Sequence, residues 1–336
     1  MQTYPLLSQP IFKEKIWGGR RLERWFADQM PADVHIGEIW TIADLKEGSS
    51  AVANGPLAGK TLSEVREIWG RELIGTAWPD HEPRFPLLVK FLDAHEKLSV
   101  QVHPSEEDCL KHFPNGNGKD ETWIVLESEH GFIYYGFQPG VDINDYDWAM
   151  SLGAIEKRLR HVEVKPGDCF RIQPGTVHAI CGGVMTLEIQ QPSDTTFRIF
   201  DYGRTDDEGN PRPMHYQESR KVIRFNYDEN PALNPERVET KYGALELLIE
   251  VEAYRIERAQ IEKSLKWEVD PRTAQTLVVL EGAGELSGGG EKIALKPGST
   301  AILPASLGSV KLTPEKTGGM LIVIAGASGA PLLHQT

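Results

Sequence analysis

One strand–turn–strand grammar occurs twice in this chain, and it limits the fold more than any other feature. Glu121-Thr122-Trp123-Ile124-Val125-Leu126-Glu127 lines up with Gln275-Thr276-Leu277-Val278-Val279-Leu280-Glu281. Lys165-Pro166-Gly167-Asp168, followed by Pro174, lines up with Lys296-Pro297-Gly298-Ser299, followed by Pro304. Similar short apolar, β-branched runs broken by Gly and Pro fill the rest: Ile36–Ile42, Leu87–Leu92, Ser99–His103, Phe132–Phe137, Cys169–Ile172 and Met185–Gln190. Regular short strands with turn signals between them predict an all-β sandwich or barrel. Helical signals are few. Thr61-Leu62-Ser63-Glu64 is a capping box ahead of an amphipathic segment to about Ile74. Ser105 caps a short helix to Phe113, and Asp145–Arg160 reads as one or two helical turns broken at Gly153.

A Glu-bearing strand, a Pro-Gly turn and a strand leading to a second Pro fit a cupin jelly roll, so the expectation is an all-β-dominated chain with two cupin jelly-roll β-sandwich or barrel domains and short helical insertions. For 336 residues two domains is also the length prior. Asp201–Asn234, rich in Gly, Pro, Asp and Arg, reads as a linker. The expected domains are therefore 1–235, metal-binding and catalytic, and 236–336, lacking metal ligands.

The copies differ where chemistry would occur. Glu121 becomes Gln275, and His178, four residues after Pro174, becomes Gly308, four after Pro304. Gln101 and His103 are two apart in Leu98-Ser99-Val100-Gln101-Val102-His103-Pro104, a spacing that puts both side chains on one face of a strand. Imidazole and carboxylate suit Zn²⁺ and related ions, and an amide oxygen completes a site. Gln101, His103, Glu121 and His178 thus form a candidate metal cup, against the alternative that both histidines are hydrogen-bonded core residues. The other histidines, His35, His81, His95, His112, His130, His161 and His215, read as surface or packing residues.

A net charge of −13 argues against nucleic acid or an acidic membrane as the main partner. No apolar run is long enough to span a bilayer, and the N-terminus carries no signal-peptide pattern. Three cysteines, Cys109, Cys169 and Cys181, argue against a disulfide framework and for a reducing compartment, so the expectation is a soluble cytoplasmic protein. Oligomeric state is not legible, and a monomer is the default.

Three cations stand near the candidate ligands. Lys90 lies inside the apolar run Phe85–Leu92, where a buried lysine requires a partner. Lys119 precedes Glu121 by two and faces the same side if the chain is extended there. Arg198 follows Asp194, with which a structural ion pair is one reading, and arginine also suits bidentate binding of phosphate or carboxylate. Taken singly each is a solvated charge. Together, beside a metal, they point to an anionic substrate.

At these residues the chain resembles the type I mannose-6-phosphate isomerases, particularly the short bacterial form. The matching stretches are Pro10–Gly19, Gly37-Glu38-Ile39-Trp40, Phe85–Pro104, Gly118-Lys119-Asp120-Glu121-Thr122-Trp123, Pro174–Ala179, and Leu187–Gln191 running on through Ser193–Arg198 to Asp201-Tyr202-Gly203-Arg204. The resemblance implies interconversion of mannose 6-phosphate and fructose 6-phosphate with one Zn²⁺ per chain, held by Gln101, His103, Glu121 and His178. It implies an active-site role for Arg198 and places for Lys90, Lys119 and Asp194 in the pocket. The chain departs from the family pattern at Ile39, where Ser or Cys is usual, and at Asp120, where Thr or Ser is common. A carboxylate at 120 beside the metal would weaken phosphate binding or widen substrate choice.

An aldose–ketose isomerase moves a proton between C2 and C1, which an enediol intermediate allows with one base and a stabiliser of the oxyanion. Lys119, Lys90 with a lowered pKa, or a metal-bound water are all open as the base. Alternatives of other kinds are an iron-dependent cupin oxygenase, a non-catalytic metal- and sugar-binding cupin, and the same isomerisation on another sugar phosphate.

Overall fold

The computed structural model describes residues 2–78, 83–205, 209–226, 228–315, 318–329 and 332–333. His81 lies outside them, as do 206–208 and 227 of the segment read as a linker. Strands dominate and helices are short, in keeping with the all-β expectation. Among the described residues no helix is long and apolar enough to cross a membrane.

The contacts divide the chain into two units that are each discontinuous in sequence. One comprises Phe12–Ile39 and Lys90–Leu233; the other comprises Met1–Ile11, Trp40–Val89 and Asn234–Thr336. The sequence repeat places a linear boundary at 235/236. Long-range strand pairing gives the second unit its N-terminal piece as well: Leu6 and Leu7 pair with Ile302 and Ala301.

The unit built around Lys90–Leu233 has two antiparallel sheets. In the first, Glu121–Ser128 lies between Cys169–Ile172 and Val184–Gln190, and Val184–Gln190 neighbours Leu88–Ala94. In the second, His178–Ile180 lies between Phe132–Phe137 and Val100–Val102, and Val100–Val102 neighbours Phe197–Phe200. Trp17, Leu92, Trp123, Ile133, Phe170 and Ile180, drawn from both sheets, belong to one buried apolar cluster. The helix Glu106–His112 carries a full capping box between Ser105 and Asp108. The helix expected from Asp145 starts at Ile143, because the Asp142 carboxylate caps it by accepting from the backbone of Asn144 and Asp145. Gly153, at φ 60°, breaks it as expected.

The segment 201–234 is more than a linker. It holds the helix Tyr216–Val222 and the strand Ala232–Leu233. Its polar residues are used internally: Arg204 and Arg212 both pair with the buried Asp201. Tyr216 stacks on Tyr146, with ring centroids 5.9 Å apart.

In the other unit, Gln275–Glu281 sits between Thr300–Leu303 and Met320–Gly326, matching the place of Glu121–Ser128. The repeated turns match bond for bond. Gly167 N donates to Val125 O at 2.9 Å and Gly298 N to Val279 O at 2.9 Å; both glycines have positive φ, 91° and 85°. The side chains of Asp168 and Ser299 each accept from the backbone of the lysine three residues earlier, at 3.0 Å in both turns. The capping box at Thr61 starts the helix Leu62–Trp69, and Gly70, at φ 48°, separates it from Arg71–Ile74.

Gln275 shows what replaced the chemistry. It is fully buried, its Oε1 accepts from Trp267 Nε1 at 3.0 Å, and its Nε2 donates to Leu332 O at 2.9 Å. The buried Glu257 carboxylate in turn accepts from the backbone N–H groups of Leu332 and Leu333, both at 3.2 Å. Leu332 and Leu333 thus pack into this core where the first copy has a carboxylate among histidines. Gln275→Glu should cost about 2 kcal/mol of stability, because the new carboxylate would face the Leu332 carbonyl with no proton to offer. Urea unfolding checks this; an unchanged midpoint would refute it.

Candidate metal centre

The cup is assembled by strand register. His178 pairs directly with Gln101, and Arg198 pairs with Gln101 from the other side. Glu121 opens its strand opposite Ile172 and Gln190. His103 follows the end of Val100–Val102 and keeps the alternation that turns it to the same side as Gln101. Lys119 is anchored nearby by its backbone N–H, which donates to Pro104 O at 3.0 Å.

His103, Glu121 and His178 are all buried and present ligand atoms within 4.8 Å of one another. Glu121 Oε2 lies 3.5 Å from His103 Nε2, and Oε1 lies 3.4 Å from His178 Nε2. Ligand atoms about 2.1 Å from a common tetrahedral centre are separated by about 3.4 Å, so this donor set fits a zinc-like ion. The backbone sets the imidazole orientation. His103 Nδ1 meets Thr195 O at 3.0 Å and His178 Nδ1 meets Thr176 O at 2.8 Å, a tautomer that turns the Nε2 lone pair of each ring into the cup as a metal ligand. Both Glu121 oxygens are buried, and the Lys119 ammonium, 2.8 Å from Oε2, is the cation that offsets the carboxylate beside the two imidazoles. The Gln101 side chain reaches His178 Nε2 at 3.4 Å and so lies at the edge of the same group.

Electrostatics keep these residues in their ligating forms. Burial, and then the Lys119 ammonium, push the His103 imidazole down to about 4. Burial likewise lowers His178. Burial works to raise the Glu121 carboxyl, but its neighbours, the Lys119 ammonium foremost, outweigh it and hold it well below the usual range. Neutral imidazoles around an ionised carboxylate are what a divalent cation requires.

Lys119 Nζ lies 2.8 Å from Glu121 Oε2 and 3.1 Å from His103 Nε2, as the alternation of 119 and 121 predicts. Lys90 is one shell further out, buried against Glu188 at 3.0 Å. Burial pulls its pKa down, but Glu188, Glu38, Asp194 and Glu121 together raise it above the normal lysine value. The Glu188 pair and the other carboxylates thus favour the ammonium form of Lys90, the opposite direction from the lowered pKa a base at this position requires. Asp194 is exposed in the loop before Phe197–Phe200 and reaches Lys90 only through its field.

Arg198 does not pair with Asp194. Its Nη1 donates to Pro213 O at 2.8 Å, its backbone N–H donates to His215 Nδ1 at 3.0 Å, and its buried Nε has no acceptor. The carboxylate of Asp120 points away from the cup and grips Arg171, with Nη2 to Oδ2 at 2.6 Å. Asp120 therefore adds no charge to the ligand group, against the expectation of an extra carboxylate beside the metal. Ile39 is fully buried core.

Sequence reasoning overlooked Glu188, which holds Lys90 and accepts from Trp123 Nε1 at 2.9 Å, and Trp123, whose ring meets His178 edge-on at 5.4 Å. A buried lysine calls for a carboxylate, but only the adjacency of Leu88–Ala94 and Val184–Gln190 says which one. His215, read as packing, buttresses Arg198.

Comparison with known proteins agrees with this geometry. Residues 6–136 match the catalytic domain of type I phosphomannose isomerases, and residues 245–324 match the mannose-6-phosphate isomerase cupin domain. The chain is 37% identical over 318 residues to the mannose-6-phosphate isomerase ManA of Bacillus subtilis, covering 93% of this chain and 96% of that one. It is 36% identical over 311 residues to the mannose-6-phosphate isomerase of Streptococcus mutans, covering 91% and 94%. The crystal structure of a Bacillus subtilis mannose 6-phosphate isomerase superposes with a TM-score of 0.86 at 30% identity, covering 96% of this chain and 99% of that one.

Proposed function

Because the chain belongs to the type I mannose-6-phosphate isomerase family, we propose that it interconverts mannose 6-phosphate and fructose 6-phosphate with one zinc ion held by Gln101, His103, Glu121 and His178. The observation that carries the metal reading is the buried cluster of His103, Glu121 and His178, whose ligand atoms lie within 4.8 Å of one another. Bound there, zinc would polarise the sugar oxygens and offset the charge of an enediolate.

The residues then divide the work. Lys119 Nζ lies 2.8 Å from Glu121 Oε2 and 3.1 Å from His103 Nε2, within reach of a sugar bound at the ligand atoms, and as an ammonium it would donate a proton to a substrate oxygen; the base that takes the carbon proton stays open between a neutral lysine and a metal-bound water. Lys90, paired with Glu188, would hold a fixed ammonium in the pocket. Asp194, exposed on its loop, adds to the carboxylates that favour the charged form of Lys90. Arg198 carries unmatched positive charge for the substrate's anionic groups. All of this falls in 1–235, while 236–336 has Gln275 where a ligand would stand. The free, buried cysteines support a reducing, cytoplasmic setting.

A coupled assay across several sugar 6-phosphates, with elemental analysis of the purified protein, tests the reading. Turnover should be highest with mannose 6-phosphate, at a zinc content near one per chain. A stronger preference for another sugar phosphate would overturn the substrate assignment, and iron as the resident metal would overturn the zinc assignment.

A further inference from the structure

Lys119 and Glu121 both enter the cup, so the residue between them must face the other way. That residue is Asp120, and every polar group it has is engaged. Its carboxylate takes Arg171 Nε at 3.2 Å on both oxygens and Nη2 at 2.6 Å on Oδ2. Its backbone N–H donates to Gln191 Oε1 at 2.9 Å, and its carbonyl accepts from Gln191 N–H at 3.1 Å. Asp120 is 5% exposed, and Arg171 sits on Cys169–Ile172, the strand that pairs with the opening of Glu121–Ser128. The residue is thus gripped from the strands on both sides.

Such a grip has a consequence for the cup. Glu121 is the first residue of its strand, and Lys119 and Asp120 precede it, so their placement rests on the Lys119 N–H bond to Pro104 O, the two Gln191 bonds and the Arg171 pair and not on ladder pairing. A rotation that moved Asp120 would carry Lys119 and Glu121 out of register with the imidazoles. A bidentate Arg–carboxylate pair is directional as well as strong, so it fixes the twist of the backbone on which both inward side chains ride. We propose that Asp120 and Arg171 form a positioning clamp that presents Glu121 to the metal and Lys119 to the substrate, neither clamp residue touching either one. The inference rests on the metal-dependent isomerase reading above.

Three variants test it: Asp120→Asn, which keeps size and removes charge, Arg171→Met, which changes a partly exposed side chain, and the double variant. Zinc release to a chromogenic chelator, kcat, KM and Tm are measured for each. The clamp predicts about 10-fold faster zinc release and about 10-fold lower kcat in each single variant, with KM little changed. It also predicts that the double variant is no worse than either single one, since the pair acts as a unit. Wild-type zinc release and kcat in both single variants would overturn the clamp. So would losses that multiply in the double variant, or a lower Tm with unaltered kinetics, which is all that a merely structural pair would give. A wild-type protein without zinc or without mannose 6-phosphate turnover would instead overturn the underlying reading, which keeps the two failures distinct.

Discussion

Glu121→Gln is expected to lose the metal and, with it, about 10³-fold in kcat/KM. The substitution is nearly isosteric, so it tests charge and not packing. Both Glu121 oxygens are buried, and Lys119 Nζ lies 2.8 Å from Oε2. Their neighbours are His103 Nε2, His178 Nε2 and Lys119 Nζ, and a neutral amide offers these groups a weaker acceptor and an N–H that opposes Lys119. Some stability will be lost through the unpaired Lys119, as when any buried pair is halved. Tm must therefore be recorded so that unfolded protein is not mistaken for metal-free protein. Dialysis of the wild-type protein against a chelator should abolish turnover, and added Zn²⁺ should restore it. Added Zn²⁺ should not restore the variant. A metal-free wild type that still turns over substrate would sink the metal reading outright.

Much of this centre could be read from local pattern. The alternation in Val100-Gln101-Val102-His103 gives the shared face, and the alternation of Lys119 and Glu121 gives the Lys–Glu contact later seen at 2.8 Å. The repeat could be read as well, because its turns depend on Pro-Gly steps and on a side-chain acceptor one residue later, both local requirements. What local pattern does not encode is register between distant strands. Asp120 looked like an added charge at the metal until the pairing of Cys169–Ile172 with Glu121–Ser128 gave it Arg171. Lys90, one of the groups open as the base, gains its partner Glu188 only because Val184–Gln190 neighbours Leu88–Ala94. The units are discontinuous for the same reason: Leu6 finds its strand partner at Ile302. Nothing in a polar tail announces that Leu332 will bond Gln275 in a barrel core.

Arg198→Ala should lower kcat by about 10²-fold or more while zinc content stays at the wild-type level. The guanidinium sits among like charges. Burial first, and then Arg212 and Arg204, lower its pKa, with only Asp201 opposing. Asp201 is already committed to Arg204 and Arg212, so it does not neutralise Arg198. Of the Arg198 nitrogens, Nη1 is held by Pro213 O, and the buried Nε has no acceptor. A cation so placed costs stability in the free protein, and that cost is recovered when an anion arrives. Removing the side chain should therefore leave Tm unchanged or slightly raised, which distinguishes a substrate-directed arginine from a structural one. The backbone N–H of Arg198 keeps its bond to His215, so the strand and its register with Gln101 should survive the change. Lysine at this position restores charge without the planar fork and should recover only part of the loss. The split between constants decides the role. A fall in kcat at constant KM places Arg198 at the enediolate, whereas a rise in KM at constant kcat makes it a phosphate anchor. Wild-type values for both would return it to a structural role.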